Sequence, residues 1–363
     1  MILVYATAFL MLQEGEAVPS RAHQNGPIVH EVSRLPDHNA FDIISKAFQA
    51  IGNQLIGDGY ANKSLLEVHG LMDFDMPVQA IDQSAKSDAQ VQFDVRLEGE
   101  ITPNGMYRYQ FQGGLGDIFM IRNQTIQATV SHEFKTYADQ PLRTRNENAN
   151  LQSFQSLILK KLGQVKSQIL DSGHYRFVYG GTGYYAGRIV HVVRIFKPTY
   201  NQAPKKGPIP IQKLWTFWYD GGYEVWIYAD NYLPAALFYT NIDDNIYANI
   251  NIDYDREHLP RRMEIHNNSV GFDGAGELVL DFDAQRVLKS LRLRFDSQKG
   301  HDLMMDFDLT FSQNADPQRF KVLPPFGYRK VNRDHLKLLL TTKIAGEILN
   351  LKQHGVNIKN FKF

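Results

Sequence analysis

Ile246-Tyr247-Ala248-Asn249-Ile250-Asn251-Ile252-Asp253-Tyr254 carries an apolar residue at every second position. Tyr247, Asn249, Asn251 and Asp253 lie between them. A period of two puts one set on a dry face and the other in water, so the stretch predicts a β-strand. The same grammar returns at Leu278, Leu280 and Phe282, at Leu291, Leu293 and Phe295, and at Phe307, Leu309 and Phe311. Such strands in succession predict an antiparallel sheet with one wet side. What covers the dry side, core or cargo, is the functional question.

Upstream the pattern continues. Leu66 to Leu71 and Val91 to Val95 alternate, and Met106 to Phe111 sets Tyr107, Tyr109 and Phe111 against Met106, Arg108 and Gln110. Asp117 to Asn123 and Thr125 to Val130 read as a hairpin with Asn123-Gln124 at its turn. Further on, Tyr175, Phe177 and Tyr179 share a face, as do Ile189, His191, Val193 and Ile195. Leu214 to Asp220 and Glu224 to Tyr228 follow as strands, after an exposed loop from Lys197 to Pro210.

Two helices interrupt this series. Asn39 is placed to cap a helix over 40–56, with Phe41, Ile44, Phe48, Ile51 and Leu55 on one side. A second helix over 150–170 carries Leu151, Phe154, Leu157, Ile158, Leu162, Val165 and Ile169 as its stripe. The order helix, strands, helix, strands predicts an α+β fold, mainly antiparallel β. We expect a curved, unclosed, β-barrel-like sheet with helices covering its concave face. Two packed sheets are the competing architecture.

The organisation reads as a leader and linker over 1–38, one main domain over 39–315, and a basic extension with a helix over 316–363. Ile2 to Leu12 is an apolar run of signal-peptide length, but no Lys or Arg precedes it. An export signal and a simple apolar start both stay open. Phe320 to Phe363 holds nine Lys or Arg against Asp334 and Glu347 alone. A helix from Asn332 to about Leu351 there either docks on the body or touches anionic lipid or a protein partner.

Composition excludes several classes. Hydrophobic and charged shares of 43% and 21% are globular values. The 39 basic and 39 acidic residues balance, which gives no field for nucleic acid. Without cysteine there is no disulfide, cysteine zinc site, cysteine nucleophile or lipid-modified amino-terminal cysteine.

No catalytic signature, cofactor motif or metal site emerges. The pairs Asp73/Asp75, Asp281/Asp283 and Asp306/Asp308 read as a solvated sheet face, with Arg292 and Arg294 placed to pair with Asp281 and Asp283. His132-Glu133 lacks the second histidine of the zinc helix motif. His191 reads as a satisfied, buried histidine whose pKa burial would lower. Gly180-Gly181-Thr182-Gly183 and Gly113-Gly114-Leu115-Gly116 read as hairpin turns, since no Lys-Ser or Lys-Thr follows.

The aromatic load, 22 Phe and 18 Tyr, is the remaining signal. It serves either as plain core or as the wall of a cavity for acyl chains. On the second reading the cargo-binding residues are Phe41, Phe48, Tyr107, Tyr109, Phe111, Phe154, Tyr175, Phe177, Trp215 and Phe217.

Three passages carry a family resemblance. They are Met106 to Phe111 followed by Asp117 to Asn123, then Tyr175 to Ile195, and Leu214 to Ile265 with Tyr232-Leu233-Pro234 and Leu259-Pro260-Arg261-Arg262-Met263. Together they resemble the outer-membrane lipoprotein-sorting and carrier group, the LolA/LolB-like proteins. The resemblance implies that 39–315 is a LolA/LolB-like lipid-binding domain with an apolar cavity, working in the bacterial periplasm or envelope. It implies a non-enzymatic carrier of lipid or lipidated protein, without cofactor. The alternative is an envelope regulatory or scaffold protein of the same fold that binds a protein segment. The length and the basic tail depart from a simple carrier.

Overall fold

A computed structural model of the chain describes residues 38–56, 58–77, 90–113, 116–142, 148–171, 175–196, 222–241, 246–267, 274–297, 302–323, 325–336 and 338–340. The fold class is α+β, mainly antiparallel β. Among the described residues sixteen strands follow a single hydrogen-bonded order with two free ends, in place of two separate sheets. Among the described residues no helix is long and apolar enough to cross a membrane. The chain divides into two compact units, Met1–Ile56 with Ile158–Leu278, and Gly57–Leu157 with Val279–Phe363.

The first unit contains α1 (His38–Leu55) and most of α2 (Phe154–Lys166), which continues as a π-helical turn over Ser167–Asp171. Its strands are β7 (Arg176–Tyr185), β8 (Arg188–Phe196), β9 (Gly222–Tyr228), β10 (Pro234–Asn241), β11 (Ile246–Tyr254) and β12 (Pro260–Asn267). They pair in sequence order, and the pairs β7–β8, β8–β9, β9–β10, β10–β11 and β11–β12 are antiparallel. The opening stretch behaves as its alternation demands, with Ala248, Ile250 and Ile252 all buried. Helix α1 packs on β7 and β8. Its small residues Ala40 and Ala47 bring Ile43 and Ile44 down onto Phe177, Tyr179, Val193, Ile195 and Ile227.

The second unit holds β1 (Leu65–Pro77), β2 (Gln90–Ile101), β3 (Tyr107–Gly113), β4 (Ile118–Arg122), β5 (Ile126–Ser131) and β6 (Thr136–Pro141). It also holds β14 (Leu288–Ser297), β15 (Asp302–Ser312) and the short β16 (Arg329–Lys330). The remaining strand, β13 (Gly274–Phe282), is divided at Leu278. Within this unit the order is β16-β6-β5-β4-β3-β2-β1-β15-β14. Only the β16–β6 pair there is parallel among the pairings described.

Aromatic rings in this unit lie over glycines on the neighbouring strand. A Cβ on Gly70 would sit 2.0 Å from Phe307 Cδ1 and 2.9 Å from the Asp306 carbonyl oxygen. Gly70 and Phe307 are direct cross-strand partners, so the ring covers the bare backbone as a side chain would. Gly70→Ala is therefore expected to destabilise by about 1–3 kcal/mol through overpacking, read as a lowered urea midpoint with an unchanged slope.

Several expectations need correction. The glycines at 180–183 are not a hairpin turn but lie inside β7. The register shifts between Tyr179 and Gly181, and Gly181 has φ +103, so they form a bulge. The turn falls instead at Ala186-Gly187, with φ of 48° and 76°, the primed geometry that fits strand twist. Of the turn expected at 113–116, Gly116 N–H donates to the Gly113 carbonyl at 2.8 Å, and Gly114 and Leu115 lie outside the described residues. The β4–β5 turn is as expected, with Asn123 Oδ1 accepting from the N–H of Thr125 and Ile126.

Asn39 lies within α1, which begins at His38. The second helix starts at Phe154 rather than near 150, because Ser153 Oγ accepts the Ser156 N–H and caps it. Arg292 pairs with Asp281 at 3.1 Å, but Asp283 turns away and accepts from the N–H of Gln285 and Val287 in the β13–β14 turn. Both members of the Arg292–Asp281 pair are about half exposed, so it contributes within about 1 kcal/mol.

Candidate functional site

The first unit contains an apolar cavity of about 130 Å³. It arises because α1 lies over β7 and β8 while the sheet face continues past it to β12. From α1 it takes Ile44, Ala47, Phe48 and Ile51, the inner stripe of that helix. From α2 and its π turn it takes Leu162, Val165 and Ile169, the stripe of the second helix. The floor is Ile195 on β8, Tyr223 and Val225 on β9, Leu237 on β10, Ile250 and Ile252 on β11, and Met263 on β12. Tyr175 and Pro234 complete the lining. The two helices meet closely, since a Cβ on Gly52 would lie 3.2 Å from Leu162 Cδ2.

The chemistry of this lining is narrow. Among the described residues it contains no carboxylate, histidine, lysine or arginine, and its polar side chains are Tyr175 and Tyr223. Burial pushes the Tyr223 hydroxyl pKa well above the ordinary tyrosine value, helped by Tyr239 and Tyr175, so it stays neutral. Such a surface can bind by dispersion and water exclusion.

A polar cluster borders the helix–sheet interface of the same unit. His191 Nδ1 lies 3.1 Å from the Tyr179 hydroxyl, and its ring stacks on Tyr232. Lys46 sits 5.1 Å from the centre of the Tyr232 ring and pairs with Asp42 at 2.7 Å. Desolvation, then the Lys46 charge, lowers the His191 pKa from the ordinary histidine value. The unfolded chain therefore binds more protons than the folded one over that interval. Stability from this group is complete above about pH 6.5 and is lost as pH falls towards the lowered value. His191→Gln is expected to flatten that limb of the stability profile, measured by urea unfolding across pH.

Of the aromatic residues expected to bind cargo, Phe48 and Tyr175 line the cavity. Phe177 is buried in the adjoining core, and Phe41 stands 42% exposed with its ring edge-on to Phe177. Tyr107, Tyr109 and Phe111 lie on β3 in the second unit, half-buried in a row with centroids 5.0 and 6.2 Å apart. Phe154 is buried in that unit, edge-on to Phe311. Trp215 and Phe217, with their strand, lie outside the described residues. Sequence reasoning did not assign Tyr223, Val225, Leu237, Ile250, Ile252 or Met263 to a site. The alternation that marks Ile250 and Ile252 as dry was visible, but not that the space above them is unfilled. Among the described residues no cluster of three or more His, Cys, Asp or Glu could hold a metal.

Comparison with solved proteins finds the following similarities. An outer membrane lipoprotein-sorting protein domain from Vibrio parahaemolyticus is 10% identical, with a TM-score of 0.28, covering 79% of this chain and 97% of its own. A DUF1329 family protein from Desulfovibrio piger is 8% identical, with a TM-score of 0.28 and coverage of 79% and 97%. A LolA superfamily protein from Nitrosomonas europaea is 10% identical, with a TM-score of 0.28 and coverage of 78% and 97%. No family model matches the chain, and no curated protein matches it.

Proposed function

We propose that this chain is a non-enzymatic binding protein of the bacterial envelope that holds an acyl chain of a lipid or lipidated protein in the cavity of its first unit. The observation that supports this is the lining, which is apolar on all three of its sides, from α1, α2 and the sheet. An apolar cavity of about 150 Å³ stays dry and takes up benzene. The cavity here, at about 130 Å³, thus admits only a short apolar segment as it stands.

Roughly six buried methylenes would contribute about 5 kcal/mol. That barely exceeds the roughly 4 kcal/mol or more lost when two molecules associate. A tight complex therefore needs a longer chain, and a longer chain needs α1 and α2 to part. The lining also favours acyl chains over a peptide. A peptide backbone buried there would leave N–H and C=O groups without partners, at about 1–3 kcal/mol each.

Titration of the purified protein with a fluorescent fatty acid tests the reading. Saturable uptake, displaced by unlabelled phospholipid or lipopeptide, is the expected result. Absence of uptake, together with saturable binding of an unlipidated peptide, would favour the scaffold alternative.

A further inference from the structure

The described residues 317–323 and 325–333 hold two apolar side chains out in solvent on a firm base. Phe326 is 105% exposed, as open as in an isolated extended peptide, and Leu323 is 76% exposed. Burying such side chains is favourable, so leaving both in water on an anchored segment calls for a partner surface.

The anchoring is firm on both sides. Before the tip, Asp316 caps a short 3-10 turn, and Phe320 at 0% exposure is packed against Leu65 and Met106. After it, Arg329 N–H donates to the Lys135 carbonyl and Val331 N–H to the Tyr137 carbonyl, both at 2.9 Å, adding β16 to β6. The Tyr328 hydroxyl meets His132 Nδ1 at 2.8 Å. Between these anchors Tyr328 N–H donates to the Pro325 carbonyl at 3.2 Å, and Gly327 takes φ +81, which turns the chain back.

Charge supplies the second observation. From Pro317 to Arg333 there are five cations, Arg319, Lys321, Arg329, Lys330 and Arg333, and no acidic residue. Arg319 is tied to Glu67 and Glu100, and Lys330 to Asp139. Lys321, Arg329 and Arg333 are exposed and flank the tip in sequence. Exposed apolar side chains flanked in sequence by exposed cations match an anionic bilayer, whose headgroups attract the charges while the interface takes the apolar groups. We propose that Leu323 and Phe326 insert into the interface of an anionic lipid bilayer, with Lys321, Arg329 and Arg333 holding the headgroups. This surface is independent of the acyl-binding cavity and would stand if the cavity proved to be plain core.

The test is flotation of the full chain with phosphatidylcholine vesicles and with phosphatidylcholine vesicles containing phosphatidylglycerol. Binding to the anionic vesicles is expected, falling with salt. Leu323→Ser with Phe326→Ser should reduce it at least tenfold without lowering the melting temperature, because both side chains are already in water. Lys321→Gln with Arg329→Gln should reduce it by about twenty-five-fold, at about fivefold per cation. The chain has no cysteine, so Leu323→Cys carrying an environment-sensitive fluorophore reports the tip alone, and its emission should shift to the blue with anionic vesicles. Wild-type protein that stays with the soluble fraction, a serine variant that floats like wild type, or an unshifted label would each overturn the proposal. Capture of a protein by the tip in place of vesicles would overturn it equally.

Discussion

Val225→Trp is expected to reduce the affinity for an acyl probe by at least tenfold while leaving the chain folded. Val225 lies on β9 in the cavity floor, half-buried, with its side chain facing unfilled space. An indole there occupies volume that a bound chain would need. Overpacking a complete core typically costs 1–3 kcal/mol, whereas filling a void costs less and sometimes stabilises. The two explanations of the aromatic faces thus separate. If the cavity is a binding site, uptake collapses and the melting temperature barely moves. If it is ordinary core that happens to be loose, the substitution changes stability and there is no uptake to lose. Fatty-acid titration and thermal melting on the same sample distinguish them.

Phe320→Ala should be the most damaging single truncation in the second unit, at about 3–5 kcal/mol. Phe320 has no exposed surface and packs against Leu65 at the start of β1 and Met106 before β3. Its neighbour Arg319 bridges Glu67 and Glu100, two carboxylates directly opposite each other on β1 and β2. Removing the ring releases the anchor that precedes the exposed tip and weakens the clamp on two like charges. A lowered urea midpoint and faster proteolysis between Arg319 and Arg329 are the expected readings. Arg319→Met, which keeps the stem but not the charge, should show a smaller loss of the same kind.

Most of the described strands and the helices α1 and α2 were legible because their patterns are strong, and most of the helix expected from Asn332 to about Leu351 lies outside the described residues. Ile246 to Tyr254 alternates without a break, and the stripes of α1 and α2 keep a helical period. The strands that were missed have weak patterns for identifiable reasons. In β6 the buried residues are the small Thr136 and Ala138 and the strand ends at Pro141, so no apolar period appears. In β10, Pro234-Ala235-Ala236-Leu237-Phe238-Tyr239 is apolar throughout and starts with a register shift, which hides the period of two. The glycines of β7 were misplaced because a bulge and a turn use the same residues for the same backbone freedom.

The cavity was only half legible. Phe48 and Tyr175 could be named because large aromatics on a dry face attract attention. Val225, Leu237 and Met263 could not, since whether a dry face is filled depends on where a helix comes to rest above it. In α1 that is decided by Ala40 and Ala47, which set the helix over β7 and β8 and leave the adjoining strands less covered. A period in a sequence marks a face as apolar, but the volume left above it is a tertiary property.

Native mass spectrometry of the purified chain, with organic extraction of the same sample, tests the central claim most directly. The expected result is a species heavier than the protein by one acyl-bearing lipid or lipopeptide, which Val225→Trp does not carry. A single mass equal to that of the protein alone, unchanged after incubation with phospholipid, would contradict it.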